Sequence, residues 1–389
     1  MRVLVVSPKF HPIIGGGETY VLNSVKSLHD AGIDVSVAVE PNPTRDVQAY
    51  PYKVYEVPGL SDTKLDVLQA PSNLHALIEE LQPDIIHAHG YFALLALGLS
   101  SKDHVPIIAS IHSTPVWGTR IIGGMDSFET ELNFARKVLA MSSPDLLTAA
   151  NKVYAAAALK IAEGRFNVQI LPYPVDTDFF QKQESAGLRT ELGLTSTDQL
   201  VLVPSRIIER KGIKEAIFAL SELPENFYLC LPGAVEPLDQ EYWAGICASR
   251  TYQSVQHRVI VPKQRVLYDK MPELYGACDI VAMPSYYAGA PVATVEAMSV
   301  SKPFVGADTQ GINSFIRHQA NGLLVPKGDA SLLAQAIIQL SQDQSLSKRL
   351  SNQARLDIMD LSWDAQLPVL LATYNELLAA RKARQPAFL

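Results

Sequence analysis

The chain has 389 residues, more than one compact core usually holds, so two domains are expected. Hydrophobic residues make up 48% and charged residues 19%, a globular composition that excludes a disordered chain. A net charge of −7 argues against nucleic acid as the partner, and three scattered cysteines without CxxC spacing argue against a disulfide framework or a structural zinc site.

The opening run, MRVLVVSPKF, meets Pro8 too early for a signal peptide. No segment offers the roughly 18 uninterrupted apolar residues of a membrane-spanning helix. The expectation is a cytoplasmic protein whose membrane contact is at most peripheral.

Val3–Val6 reads as a strand, and apolar Tyr20, Val21, Val25 and Leu28 place a helix over Thr19–His29, stopped at Gly32. Strands follow at Val35–Val39 and Lys53–Val57, then a helix at Leu74–Leu81 and strands at Asp84–His87 and Ile107–Ile111. Val138–Met141 and Leu146–Ala149 read as two further strands. Alternating strands and helices imply right-handed βαβ units and a mostly parallel sheet.

The pattern breaks at the proline- and aspartate-rich stretch Pro172–Glu184 and then restarts. Strands are expected at Gln199–Pro204, Phe227–Leu231, Val259–Val261, Ile280–Met283, Pro303–Ala307 and Gly322–Val325. Helices are expected at Ile213–Leu220, Met271–Ala277, Pro291–Met298 and Ala330–Ser341. A final helix, Trp363–Ala380, is apolar on one face.

Five segments carry candidate chemistry. Gly15, Gly16 and Gly17 follow the first strand and precede a helix, where backbone can approach a ligand and free N–H groups can meet an anion. The spacing is not GxGxxG, and a glycine turn that only connects strand to helix fits equally well. Two strands end in histidine, in IIHAHG and IIASIHS, and carboxyl ends of parallel strands face the ligand crevice. His112 is favoured as functional. His87 and His89 read equally as site residues or as hydrogen-bonded histidines closing a strand, and the HxH pair lacks a third metal ligand.

In PSRIIERKG, Arg206 and Lys211 sit between a strand and a helix, spaced to converge on a diphosphate: a guanidinium fork and a mobile point charge. A solvated charge cluster is the plainer alternative, and Glu209 and Arg210 read as loop residues. In PSYYAGAPVATVEAMSVS, Gly289 permits a turn, Pro291 suits a first helical turn, and Glu296 lies on that helix. The carboxylate of Glu296 is able to hold a ribose diol; a structural salt bridge is the other reading.

In order and spacing, these segments together resemble the retaining glycosyltransferases of family four, of the GT-B fold, over nearly the whole chain. The resemblance also takes in NKVY with ILPYPVDTDFF, and NGLLVPKGD. It implies two Rossmann-like domains with a cleft between them: an acceptor-binding domain over 1–175 with a returning helix over 363–389, and a nucleotide-sugar-binding domain over 176–362. Sugar would pass from a nucleoside diphosphate sugar, expected to be UDP-linked, to a small-molecule, glycan or lipid-linked acceptor, with retention and with neither metal nor cofactor. Carried over, Arg206 and Lys211 hold the diphosphate and Glu296 the ribose. His112 lies near the donor sugar, while Gly16 and Gly17 approach the phosphates and the acceptor. His89, Gly289, Ala290 and Pro291 complete the substrate-binding set.

The chain departs from the family pattern at Ala288, where a glutamate ordinarily contacts the donor sugar. Either the sugar is positioned differently, or the chain is a weakened natural form, or this residue has been changed to trap a ligand. A nucleotide-sugar 2-epimerase and a non-catalytic nucleotide-sugar binder are the competing functions.

Overall fold

The computed structural model describes all residues except 14, 61–68, 101–104, 113–123, 182–185, 236–238, 263–265, 290 and 385–389. The chain divides into two compact units, Met1–Pro174 with Trp363–Leu389, and Val175–Ser362.

In chain order the first unit holds β1 (Arg2–Ser7), α1 (Gly16–Asp30), β2 (Asp34–Val39), β3 (Lys53–Glu56), α2 (Gln69–Leu81), β4 (Ile85–His89) and α3 (Tyr91–Ser100). It continues with β5 (Ile107–Ile111), α4 (Gly124–Ser142), β6 (Leu146–Ala149), α5 (Lys152–Ala162) and β7 (Val168–Ile170). These strands make a seven-stranded sheet in the order β3-β2-β1-β4-β5-β6-β7, and every pairing is parallel.

The second unit holds α6 (Thr177–Gln181), α7 (Ala186–Glu191), β8 (Gln199–Leu202), α8 (Ile213–Glu222), β9 (Phe227–Cys230), α9 (Gln240–Ala248), α10 (Arg250–Val255) and β10 (Val259–Ile260). Then come α11 (Met271–Ala277), β11 (Ile280–Met283), α12 (Val292–Ser299), β12 (Phe304–Ala307), β13 (Leu323–Val325), α13 (Ala330–Gln342) and α14 (Gln344–Ile358). Six parallel strands take the order β10-β9-β8-β11-β12-β13. The last helix, α15 (Trp363–Arg384), belongs to the first unit.

Both sheets are doubly wound, so each is the Rossmann-like architecture of the GT-B fold. The direction of winding reverses between β1 and β4 in the first unit and between β8 and β11 in the second. Such a reversal opens a crevice at the carboxyl ends of the two central strands, which is where open α/β sheets bind ligands.

The strand expected at Val138–Met141 is instead the end of α4. Leu132, Ala135, Val138, Leu139 and Ser142 are buried and Met141 is exposed, which is helical spacing of one buried stripe. Four apolar residues in a row read as a strand only while the preceding turn is ignored. The short run at Val168–Ile170, not expected from its residues, forms the edge strand beside β6.

Candidate functional site

In the first unit, register brings together a row of buried and half-buried polar side chains. His89 on β4 lies beside Ser110 on β5, Ser110 beside Thr148 on β6, and Thr148 beside Gln169 on β7. Residues aligned across a sheet share a face, so all four project to the same side, as do His87 and His112, each two residues from a member of the row. The face is closed by hydrogen bonds. His87 bonds Ser110 Oγ through Nε2 at 2.7 Å and the Tyr374 hydroxyl of α15 through Nδ1 at 2.7 Å. Ser110 Oγ also bonds Thr148 Oγ1 at 2.7 Å, and Gln169 donates from Nε2 to Thr373 Oγ1 at 3.0 Å.

His89 Nδ1 is 2.8 Å from His112 Nε2, and His112 Nδ1 bonds the Tyr173 hydroxyl. Both ring nitrogens of His112 are therefore engaged, while Nε2 of His89 is buried and has no hydrogen-bond partner among the described residues. The rings of His87 and His89 stack at 4.2 Å, and those of His89 and His112 at 5.0 Å. Tyr20 from α1 packs against His89, His112, Tyr173 and Trp363. Burial removes water from the charged form, so the histidines are held neutral: His87 is brought down to about 3, His112 to about 4, and His89 well below its ordinary range. A second effect on His87 and His89 is the charge of their histidine neighbours.

The glycine turn meets this cluster. Gly16 is the first residue of α1, and a Cβ on Gly17 would stand 3.4 Å from Cγ of His112. Of the residues expected in the first domain, Gly17, His89 and His112 thus come together. Tyr20, Tyr173 and Tyr374 carry no signal of their own in the sequence, because a lone tyrosine at helical spacing or in a proline-rich stretch reads as ordinary core.

In the second unit, three strand-end loops converge. The loop after β8 carries Arg206 and Lys211. Gly212 closes it at φ +69, where an added Cβ would fall 2.1 Å from the carbonyl oxygen of Pro284. The loop after β11 answers with the Tyr286 N–H donating to the Arg210 carbonyl at 2.9 Å and the Tyr286 hydroxyl to Glu215 Oε1 at 2.7 Å. The turn after β12 packs beneath: Gly311, at φ +102, would place a Cβ 1.5 Å from the carbonyl oxygen of Ala288. Only glycine allows these approaches. Lys211, between Arg210 and Gly212, is thereby held beside the segment that follows β11, and Arg206 is near enough for its charge to act on Lys211.

Lys211 is partly buried, and desolvation first, then the charges of Arg210 and Arg206, bring its ammonium down to about 7. Converging positive charge at a strand end, beside a helix start, is an arrangement that an anion relieves. Pro291 caps α12, and its carbonyl accepts from the Thr294 N–H at 2.9 Å. Ala288 is buried, 2% exposed, in the apolar cluster that also contains Val295 and Ile312. Ala290 lies outside the described residues.

Glu296 is buried on α12, and its Oε2 accepts a hydrogen bond from the Tyr275 hydroxyl at 2.8 Å. Burial pushes the carboxyl up to about 7, which that hydrogen bond partly opposes. The structural salt bridge considered for Glu296 is not there: among the described residues, no cation pairs with it. Nor do the described residues contain a group of three or more histidine, cysteine, aspartate or glutamate side chains placed to hold a metal ion. Among the same residues, no helix is long and apolar enough to cross a membrane.

Comparison with known proteins bears on the family and the fold. The family pattern "Glycosyl transferases group 1" matches residues 186–357, and "Glycosyltransferase Family 4" matches residues 14–179. The chain belongs to the family-four glycosyltransferases of the GT-B fold, and it is a glycosyltransferase. It is 24% identical over 400 residues to the D-inositol 3-phosphate glycosyltransferase of Xylanimonas cellulosilytica, covering 95% of this chain and 94% of that one. It is 25% identical over 292 residues to an uncharacterized glycosyltransferase of Methanocaldococcus jannaschii, covering 72% of each. Among solved structures, the sucrose-phosphate synthase of Thermosynechococcus elongatus superposes with a TM-score of 0.82 at 20% identity, over 97% of this chain and 99% of that one. Anabaena HepE, in complex with UDP and glucose, gives 0.80 at 21%, over 97% and 100%. These structural likenesses bear on the fold.

Proposed function

We propose that the chain transfers a sugar from a nucleoside diphosphate sugar, UDP-linked in the first instance, to an acceptor hydroxyl with retention of anomeric configuration. The observation that carries this reading is the convergence of Arg206 and Lys211, at the winding reversal of the second unit, beside the residues leading into α12. There the two cations would hold the diphosphate and stabilise its charge as the bond to the sugar breaks, a role that removes the need for a divalent ion. Glu296 would accept from the ribose hydroxyls. Gly289 and Pro291, with Ala290, would bring backbone to the phosphates. UDP appears with Anabaena HepE, and a phosphorylated polyol is named for the Xylanimonas relative, which supports a sugar-type acceptor.

In the first unit, Gly16 and Gly17 would approach the substrates, with His89 and His112 beside them. His112 has both ring nitrogens committed, so its contact with a sugar would be made by its ring face or through rearranged hydrogen bonds. His89 Nε2, which has no partner among the described residues, is able to take a new one.

Calorimetry with UDP, GDP, ADP and dTDP tests the donor site. Arg206→Ala should weaken the diphosphate that binds by about 1.5–3 kcal/mol, the range for hydrogen bonds to charged groups. Unchanged affinity would remove the phosphate site. Turnover that survives EDTA would support metal independence, and full loss restored by Mg²⁺ would overturn it.

A further inference from the structure

The partner of Glu296 is a phenol and not a cation, and this has consequences for what the carboxylate can do. Tyr275 rises from α11 fully buried, its ring edge-on to that of Phe180 at 5.7 Å. Its hydroxyl reaches Glu296 Oε2 at 2.8 Å and the carbonyl oxygen of Ala293, on the first turn of α12, at 3.3 Å. The position of α11 is itself fixed, because Lys302 donates from Nζ to the carbonyls of Gly276 at 2.9 Å and Cys278 at 2.7 Å. Among the described residues, nothing else hydrogen-bonds the Glu296 carboxyl, so Oε1 keeps its acceptor capacity.

An arginine in place of Tyr275 would occupy both oxygens and cancel the charge. A phenol has one proton to give. It ties down one oxygen and leaves the other for a ligand. A glutamate has three side-chain torsions, and the helix backbone restrains chiefly the first. The Tyr275 bond restrains the remaining two.

We propose that Tyr275 is a positioning residue for sugar-hydroxyl recognition: by holding Glu296 Oε2 it presents Oε1 to the ribose of the donor nucleotide. This rests on the reading that Glu296 binds that ribose. Tyr275 acts through Glu296 and has no contact of its own with the nucleotide.

The test uses the full chain and calorimetry with UDP and its 2′-deoxy and 3′-deoxy forms, or the same series of whichever of UDP, GDP and ADP binds. The unaltered chain should prefer the ribonucleotide over one deoxy form by at least about tenfold, as expected for a hydrogen bond to a charged group. Glu296→Gln should lose most of that preference. Tyr275→Phe should cut it at least about fivefold while changing affinity for the deoxy form less than about twofold, and adding Tyr275→Phe to Glu296→Gln should remove nothing more. Equal weakening of all ligands by Tyr275→Phe, or full retention of the preference, would overturn the proposal while leaving Glu296 in place. A preference untouched by Glu296→Gln, or no nucleoside diphosphate bound, would overturn both. Should Tyr275→Phe not fold, Glu296→Asp keeps the charge and the phenol but withdraws the carboxylate from it. Retention of the preference there overturns the proposal, because the carboxylate would then serve the ribose without the Tyr275 bond.

Discussion

The hydroxyl of Tyr374 stands 2.7 Å from Nδ1 of His87, a buried residue 287 positions earlier in the chain. The bond joins the last helix to the centre of the first sheet. Tyr374→Phe keeps the ring and leaves a buried imidazole nitrogen unsatisfied. The cost should be about 1–3 kcal/mol of stability, read from the urea midpoint. A midpoint unmoved by the change would show that this bond contributes nothing to docking α15.

Three neutral histidines on one buried face make the first unit sensitive to acid. Their folded pKa values lie below the ordinary 6.5, so the unfolded chain takes up protons first as pH falls. The stability they contribute is complete above pH 6.5 and is lost progressively below it, down to about 4 for His112 and about 3 for His87. Each histidine should add about 1.4 kcal/mol per pH unit to the decline. Denaturant midpoints that stay level from pH 6.5 to 5 would contradict this.

Lys211 should give diphosphate binding an alkaline limb. Its pKa is about 7 in the free protein, from burial and from Arg210 and Arg206, so above neutrality the ammonium is lost and must be regained on binding. A terminal phosphate, with its second pKa at about 6, is already fully ionised in that range. UDP affinity should therefore fall from pH 7.5 to 9, by up to about tenfold per unit. Lys211→Arg keeps its charge throughout and should flatten the profile. Identical profiles for the two proteins would remove Lys211 from the site.

Ala288→Glu tests how the sugar is held. The site is 2% exposed, so a carboxylate there should lower the melting temperature by several degrees. A donor sugar would offer it hydroxyl partners, and the rate should rise at least about tenfold, about 1.4 kcal/mol of barrier. Diphosphate affinity should change little, since Arg206, Lys211 and Glu296 are untouched. A glutamate variant that binds donor and turns over no faster would mean another group positions the sugar.

Much of this molecule is legible in local pattern. β-branched runs ended by histidine, proline or glycine read as parallel strands, and IIASI, IVAM and MPELYGA form the elements their residues suggest. The glycine turn and the Arg206–Lys211 loop are visible for the same reason: a strand, a turn and a helix start lie within a dozen residues. VLAM misleads because its strand-like composition belongs to a helical stripe that begins at Leu132.

Composition, periodicity and turn chemistry by themselves determined two successive runs of alternating strands and helices and the loops that carry the candidate chemistry, because hydrogen bonds and side-chain spacing within a few residues decide those features; the doubly wound strand order was decided by the tertiary structure. Partnership was decided only by tertiary structure. That Glu296 meets a tyrosine 21 positions away and not a cation, that His112 spends both nitrogens on His89 and Tyr173, and that His87 reaches Tyr374 on the last helix all follow from strand register and helix docking. The physical reason is burial. Once water is excluded from a polar group, its behaviour depends on the few atoms packed against it, and sequence separation carries no record of which atoms those are.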